Sequence, residues 1–411
     1  MHMKTFFRHF ACTAFILTIT SPLLSSAYYS DNNSIEGMNL DELRQTGFRL
    51  DWVNKSNSKD LHLPTITDES LYIVDSQDYI TRYEKSTGRW VWSSPIGSQT
   101  FQLRSISEFK DINRVLIVSD GEIYVVEHNT GNNPSKVDSD KNNAYDKKSI
   151  DLTFGANTPA ISNGKNQLVY GSKTGDLIWF DPAIGYDINR YSIGNSLNIA
   201  PTYAEGIRLK NGLIRQTVVA ASENGNVAVV DLNRIKELWS INLMSPTNAP
   251  VAYGSNTTLV ENEEIPRTSI FIAGTDQYLR SLDLHTGKQR WAYLTNAKLL
   301  DSPTVIGKTV YQYVPGIGLA AFDAYPNNLS GKLIWIANDV HGNVITTTSR
   351  NKLVCWDASS NKLQIVDPRK GGVMSELNIP NATTLVTESA SNGSLYILND
   401  QGAIFRLVPR Q

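Results

Sequence analysis

One polar segment of the sequence carries side-chain oxygens at the spacing of a calcium-binding loop. Calcium is bound by about six to eight carboxylate, amide and carbonyl oxygens, which such a loop supplies from alternate residues. Positions 1, 3, 5 and 9 are filled here by Asp138, Asp140, Asn142 and Asp146. Position 6 is Asn143 where glycine is expected, and position 12 is Ser149 where a bidentate glutamate is expected. We therefore interpret the segment as a solvated polar loop, with a calcium site as the alternative.

The other residues that could perform chemistry form no recognisable catalytic pattern. The six histidines show no metal-ligand spacing, and the sequence has no nucleophile motif and no phosphate-binding glycine loop. Of the two cysteines, Cys12 lies in the amino-terminal segment, and Cys355 lies in a predicted strand as a buried, inert thiol. Because catalytic groups from distant parts of a chain leave no local signature, the sequence favours a protein without catalysis and leaves an enzyme as the alternative.

A third constellation, an acid followed by a glycine and a tryptophan, recurs along the chain. Asp283, Gly287 and Trp291 have the spacing (D/E)-x-x-T-G-x-x-x-W. A set this frequent is better explained by structure than by chemistry. The acid ends a strand, the glycine forms a turn with positive φ, and the tryptophan packs on the next strand. The other copies are Glu84, Gly88 and Trp92; Asp323, Gly331 and Trp335 with four residues inserted; and Asp231 and Trp239, which lack the glycine.

A pair of β-rich runs joined by a tight polar turn precedes each acid. Turns such as Asp120-Gly121 and Asn224-Gly225, placed between β-branched and aromatic residues, are strong hairpin signals. Eight such hairpins occur at a spacing of roughly 40 to 55 residues, which is typical of propeller blades. The sequence therefore predicts an all-β fold, an eight-bladed β-propeller over residues 46–411.

The two ends of this region predict how the ring closes. The eighth hairpin ends at Val408, which leaves its blade without an outer strand of its own. Residues 46–52 look like the turn-and-tryptophan part of the repeat but have no hairpin before them. We expect residues 46–52 to pair with residues 403–408 as the outer strand of the last blade, because this pairing removes both exposed sheet edges.

The first 27 residues have the features of a secretory signal peptide. Lys4 and Arg8 precede an apolar stretch of about 14 residues, and Ser25-Ser26-Ala27 supplies the small residues of a cleavage site. A membrane-spanning helix needs about 20 apolar residues, so this stretch is too short to span a membrane, and we expect no transmembrane segment elsewhere. Residues 28–45 are interpreted as a linker. These features predict export to the periplasm or the extracellular space, with peripheral association at the outer membrane as one option.

The repeat resembles that of PQQ-like β-propellers, the quinoprotein dehydrogenase-like superfamily. The resemblance covers residues 46–411 and rests on the acid, Thr-Gly and tryptophan pattern after the hairpins. It is closest to the non-enzymatic, BamB-like branch of outer-membrane assembly factors, which implies a protein-binding scaffold in the cell envelope. The dehydrogenases of this superfamily place a disulfide between adjacent cysteines against their quinone cofactor, and this chain has no adjacent cysteines.

These inferences give three functional hypotheses. The first is an exported, non-catalytic scaffold that has a protein partner in the envelope. For this scaffold we expect no catalytic residues and no bound cofactor, including pyrroloquinoline quinone. The second is a reduced quinoprotein dehydrogenase that lacks the disulfide, and the third is an extracellular sensor or adhesin stiffened by calcium in the loop at residues 138–146. The net charge of −2 argues against a nucleic acid partner.

Overall fold

Each of the eight hairpins lies inside a four-stranded antiparallel sheet. The structure, a computed structural model, describes residues 34–96, 101–137, 141–163, 167–208, 214–260 and 263–411. The sheets follow one another as blades 1 to 8 of a ring, so the predicted eight-bladed, all-β propeller is confirmed.

The first four blades take their strands from consecutive parts of the chain. Blade 1 contains Leu61–Ile66, Ser70–Asp75, Tyr79–Glu84 and Trp90–Pro95. Blade 2 contains Leu103–Phe109, Arg114–Ser119, Glu122–Glu127 and Ser149–Asp151. Blade 3 contains Ile161–Ser162, Leu168–Gly171, Asp176–Asp181 and Tyr186–Ser192, and blade 4 contains Thr202–Arg208, Ile214–Ala221, Asn226–Asp231 and Lys236–Asn242.

The last four blades repeat this order, except that blade 8 borrows a strand. Blade 5 contains Ala252–Val260, Glu263–Ala273, Tyr278–Asp283 and Gln289–Leu294. Blade 6 contains Thr304–Ile306, Thr309–Val314, Gly318–Asp323 and Leu333–Ala337, and blade 7 contains Asn343–Thr347, Leu353–Asp357, Lys362–Val366 and Val373–Asn378. Blade 8 contains Ala382–Thr387, Leu395–Asn399, Ala403–Pro409 and, from the amino-terminal part, Phe48–Lys55.

The strand order gives the ring two distinct sides. The first strands of neighbouring blades contact one another, which places them at the centre, and the fourth strands form the outer rim. Because consecutive strands are antiparallel, the turns between third and fourth strands, such as residues 284–288, all lie on one side, called here the turn side. The links between blades, such as residues 243–251, lie on the other side, called here the connector side.

The hydrophobic core consists of apolar layers between adjacent blades. Between blades 1 and 2, for example, Tyr72 and Val74 pack against Ile117, and all three are fully buried. Comparable layers occupy all seven of the remaining boundaries between blades. Both faces of each central strand are therefore covered, which explains the β-rich apolar runs in the hairpins.

The amino-terminal strand closes the ring as predicted. Phe48–Lys55 pairs antiparallel with Ala403–Pro409, with Phe48 opposite Pro409 and Lys55 opposite Ala403. Trp52 donates from Nε1 to the Lys85 carbonyl of blade 1 at 3.1 Å, so the borrowed strand also joins blade 8 to blade 1. The closure leaves no seam between the first and last blades.

The segment before this strand is folded onto the propeller. Residues 28–45 were interpreted as a linker, but their described part contains a two-stranded hairpin, Ser34–Ile35 with Met38–Asn39, and a helix, Leu40–Gln45. Ile35, Met38 and Leu43 are buried in the layer between blades 7 and 8. The apolar side chains at these positions supply the burial that holds the segment in place. The signal peptide of residues 1–27 lies outside the described residues.

Helical structure makes a minor contribution to the fold. The α-helix Leu40–Gln45 has six residues. Within the described part of the chain, no helix is long and apolar enough to cross a membrane.

Candidate functional site

Each outer tryptophan of the repeat joins its own blade to the next one. Trp291, on the fourth strand of blade 5, donates from Nε1 to the Ala324 carbonyl of blade 6 at 3.1 Å. Its ring covers Gly331, where a Cβ atom would lie 3.1 Å from the indole. We call this arrangement the tryptophan clasp. In it, the tryptophan ring covers the turn glycine of the next blade, and the indole N–H donates to the carbonyl of the residue after the acid of that blade. The same clasp is formed by Trp52 over Gly88, Trp92 over Gly131, Trp239 over Gly287 and Trp335 over Gly371.

The acid of each repeat holds the turn that carries the clasp. Asp283 Oδ1 accepts the backbone N–H groups of His285 and Thr286, both at 2.9 Å. The other acids accept N–H or hydroxyl groups of their own turns, namely Asp231 from Asn233 and Arg234, Asp323 from Tyr325, and Glu84 from Thr87. The sequence pattern did not reveal these hydrogen bonds. They occupy each carboxylate within its own blade.

In the described part of the chain the clasp is missing between blades 2 and 3, between blades 3 and 4, and between blades 7 and 8. Between blades 3 and 4, both of its members are replaced. Asn189, opposite Trp179 in the sheet, occupies the strand position of the tryptophan, and Ile235 occupies the turn position of the glycine. Ile235 keeps the turn geometry with φ of 55°, which is rare for a β-branched residue. Trp179, on the third strand, donates to the Leu232 carbonyl at 2.9 Å. Trp179 thus supplies the hydrogen bond between the two blades from the third strand, and the fourth strand of blade 3 has no indole at the rim.

An open cavity of about 260 Å³ lies at this boundary. Amide side chains line part of it: Asn242 Nδ2 donates to Asn226 Oδ1 at 2.6 Å, and Asn226 Nδ2 donates to the Ile193 carbonyl at 2.8 Å. The complete lining is Tyr191, Ser192, Ile193, Asn226, Ala228, Ser240, Ile241 and Asn242. The cavity therefore offers both apolar contacts and hydrogen-bonding groups at the rim.

Met244 follows this cavity on the connector side. Its side chain is 91% exposed, the highest value for a large apolar residue in the described part of the chain. Its backbone has φ of 57°, a conformation unfavourable for methionine, and its N–H is bonded to Asn242 Oδ1 at 2.6 Å. The cavity-lining asparagine thus fixes an apolar side chain in full contact with water.

Further exposed apolar residues lie on the rim of blade 3. Tyr186 is 65% exposed and Ile188 is also exposed, both on the outer strand, and Ile184 is exposed in the preceding turn. Among the described strands, this one pairs with Asp176–Asp181 alone, so its other edge is open to strands of the described part of the chain. We call Ile184, Tyr186, Ile188, the cavity and Met244 together the blade 3–4 surface, which extends along the rim from Ile184 on the turn side to Met244 on the connector side.

A hydrogen bond between side chains links the two outer strands of this surface. The Tyr191 hydroxyl of blade 3 donates to the Glu237 carboxylate of blade 4. Partial burial and this hydrogen bond raise the pKa of Tyr191 to about 12, so the hydroxyl keeps its proton at neutral pH. The pair holds the rim together where the clasp is absent.

Comparison with known families identifies the relatives of this ring. The family model described as "Outer membrane protein assembly factor BamB" matches residues 30–188, 119–293, 169–339 and 223–405. The chain belongs to this family. No curated protein matches the sequence.

Solved structures share the fold at low sequence identity. BamB from Moraxella catarrhalis is 15% identical, with a TM-score of 0.60 over 88% of this chain and 97% of that chain. The computationally designed Ika8 protein is 14% identical, with a TM-score of 0.59 over 87% and 98% of the two chains. The quinohemoprotein alcohol dehydrogenase from Comamonas testosteroni is 12% identical, with a TM-score of 0.57 over 90% and 77%. At these identities the likeness shows the fold alone.

The residues of the proposed calcium loop are only partly described. Asp138 and Asp140 lie outside the described residues, and Asn142 is exposed. The Asp146 carboxylate is buried and lies 2.8 Å from Arg114 Nη2. An ion at this loop would compete with the Arg114 guanidinium for Asp146, and calcium binding stays a prediction.

The described residues do not fit the quinone site of the dehydrogenases in the same superfamily. Cys355 is fully buried in blade 7, and burial raises the pKa of its thiol, so it has neither an adjacent cysteine nor access to a ligand. In the described ranges, no three histidine, cysteine, aspartate or glutamate side chains lie close enough to hold a metal.

Proposed function

We propose that this protein is an exported, non-catalytic scaffold that binds another protein in the cell envelope and takes part in outer-membrane protein assembly. The observation that carries the proposal is membership of the family described as an outer-membrane protein assembly factor, whose model matches most of the chain. The segment at residues 1–27, with the features of a signal peptide, supports export to the periplasm, where the protein would act at the inner surface of the outer membrane.

The blade 3–4 surface is the part of the propeller that we assign to partner binding. Met244 combines an exposed apolar side chain with a strained backbone, and strained backbone positions occur preferentially at functional sites. The open edge of Tyr186–Ser192 can accept a further strand, and the neighbouring cavity can accept a side chain from the same partner. Together these features combine apolar area with hydrogen-bonding groups, as protein interfaces do.

Site-specific photo-crosslinking in intact cells tests both the function and the surface. A photoreactive residue in place of Met244 is expected to capture one defined component of the outer-membrane assembly machinery. The matched control replaces Leu329, which is also a highly exposed apolar residue but lies on the rim of blade 6. Capture of the same proteins from both positions would contradict the assigned surface, and capture of no envelope protein from any exposed rim position would contradict the function.

A further inference from the structure

The turn side of blade 5 carries a group of cationic side chains that the scaffold function does not use. Arg267 lies on the second strand of blade 5, Arg290 lies on its fourth strand, and Arg215 lies on the second strand of blade 4. The carboxylates in ion-pair contact with these three are Asp231, at 3.6 Å from Arg215, and Asp283, at Arg290. Three guanidinium groups therefore share two carboxylates among the described residues.

Arg267 is the guanidinium left without a carboxylate in the described part of the chain. Its Cζ atom lies 6.0 Å from the ring centre of Tyr325, in the turn of blade 6. Arg290 Nη2 lies 3.5 Å from the carbonyl of Thr268, the residue after Arg267, and burial together with the Arg267 charge lowers the pKa of Arg290. The two arginines and the tyrosine therefore form one group, called here the blade 5 cationic cluster, with an excess of positive charge.

Several buried donors in and beside this cluster have no acceptor. The Tyr325 hydroxyl and Arg290 Nε lack hydrogen-bond partners among the described residues, and so do both ring nitrogens of His285, one of which is a donor in the neutral ring. Asp283 cannot supply the missing acceptors, because Oδ1 takes the turn N–H groups and Oδ2 takes Arg290. Buried polar groups are normally hydrogen-bonded, so an acceptor from outside the protein would complete the hydrogen bonding of this cluster.

We propose that the blade 5 cationic cluster binds an oxyanion of the phosphate class, held by Arg267, Arg290 and the Tyr325 hydroxyl. A phosphate group supplies several acceptor oxygens and negative charge, which match guanidinium donors and a hydroxyl at one site. Either inorganic phosphate or the phosphomonoester headgroup of a lipid has this chemistry. The inference does not depend on the scaffold function, because the blade 3–4 surface uses none of these three residues.

Calorimetric titration of the full chain with inorganic phosphate at constant ionic strength tests the site. We expect saturable binding that is about tenfold weaker in Arg267→Gln and in Tyr325→Phe, because each removes a hydrogen bond to a charged ligand. Arg267 has no ion pair and the Tyr325 hydroxyl has no partner in the described structure, so both variants are expected to stay folded, which thermal unfolding would check. Arg350→Gln, an exposed arginine on the turn side of blade 7, is the matched charge control and is expected to bind like the unmodified protein.

A second arm distinguishes the two sources of the phosphate group. Flotation with vesicles containing phosphatidic acid, compared with phosphatidylcholine vesicles, would show an Arg267-dependent interaction if the ligand is a lipid headgroup. Phosphate binding without vesicle binding would identify a free solute. Absence of binding in both arms, or equal weakening by Arg267→Gln and Arg350→Gln, would overturn the proposal, because water or general charge screening would then account for the donors.

Discussion

Trp291 shows how a single side chain joins two blades. Its ring is fully buried between Phe271 of its own blade and Phe322 of the next, at centroid distances of 6.0 and 6.3 Å. The indole N–H is satisfied by the Ala324 carbonyl, and Gly331 leaves room for the ring. The clasp thus combines apolar burial, ring contacts and a hydrogen bond across the boundary between blades.

Loss of this clasp is expected to destabilise the ring. Trp291→Ala should lower the free energy of unfolding by about 3–5 kcal/mol, the usual cost of removing a buried large aromatic side chain. Trp90→Ala, also on a fourth strand but with its ring 56% exposed, should change it by less than about 0.5 kcal/mol. Urea unfolding of both variants measures the difference, and equal effects would contradict the role of the clasp.

Glu108 makes a different contact between blades, one that depends on its charge. Its Oε1 accepts the Tyr72 hydroxyl at 2.7 Å and lies 2.8 Å from His128 Nε2. Burial raises the pKa of the carboxyl, but the hydrogen bonds from His128 and Tyr72 outweigh burial and lower it to about 2. A lowered pKa in the folded state means that the charged form stabilises the protein above the unfolded pKa, and that this stability is lost as the pH falls towards 2.

The pH dependence of stability should therefore be altered by Glu108→Gln. Between about pH 4.5 and pH 2, the unmodified protein should lose more unfolding free energy than the variant, which has no carboxyl to protonate. Glu69→Gln, at an acid whose side chain is 72% exposed, should keep the dependence of the unmodified protein. Thermal unfolding across this pH range is the measurement. Parallel curves for all three proteins would show that Glu108 does not contribute.

At the scale of strands and loops, the sequence was most informative where the repeat is regular. Tight turns between β-rich runs located every hairpin, because turn chemistry and strand pattern are both local. The packing of residues 34–45 was missed, because Ile35, Met38 and Leu43 show no repeat and are buried by blades that are distant in sequence. The acid-to-turn hydrogen bonds were also missed, because the acid was assigned only to the end of a strand.

The closing strand is expected to be required for a stable ring. A chain that begins at Lys55 would lose Phe48 and Trp52 from the core, each worth about 2–3 kcal/mol of burial, and would expose the edge of Ala403–Pro409. Its melting temperature should fall by about 10 °C or more relative to a chain that begins at Thr46, which lacks the preceding segment but keeps the strand. Calorimetric unfolding of the two truncations decides this, and matching temperatures would mean that the strand is dispensable.

The loop at residues 138–146 has a structural role that is separable from calcium. Asp146 and Arg114 have side chains only 4% and 1% exposed, so Asp146→Ala would leave a buried guanidinium unpaired and should cost about 3–5 kcal/mol of unfolding free energy. We expect that cost to be the same with calcium or with a chelator. Asn142→Ala, at an exposed position, should be neutral in both conditions. A calcium-dependent gain in stability that both variants abolish would instead establish the ion site.

At the scale of the whole molecule, the surface that we propose for partner binding could be predicted only in part. The sequence showed that the copy with Asp231 and Trp239 lacks the glycine, but not that this position faces a strand of blade 3 that lacks the tryptophan. Met244 gave no signal, because its exposure depends on the hydrogen bond from its N–H to Asn242 and on the path of the connector. Interruptions of a regular repeat are places where function is expected, since regularity itself serves the fold.

Because the regular repeat serves the fold, we predict that the propeller has no dehydrogenase activity. Quinoprotein chemistry would need a group packed against the cofactor, such as the disulfide between adjacent cysteines, and carboxylates free to act on a substrate. The repeat acids are engaged in their own turns, as Asp283 shows, and Cys355 is buried in blade 7.

Titration with pyrroloquinoline quinone in the presence of calcium should therefore show no stoichiometric binding, and dye reduction with an alcohol or a sugar should stay at the level without protein. Stoichiometric binding together with substrate-dependent dye reduction would replace the scaffold with an enzyme. Quinone binding without turnover would leave the scaffold function but add a ligand that the described side chains do not explain.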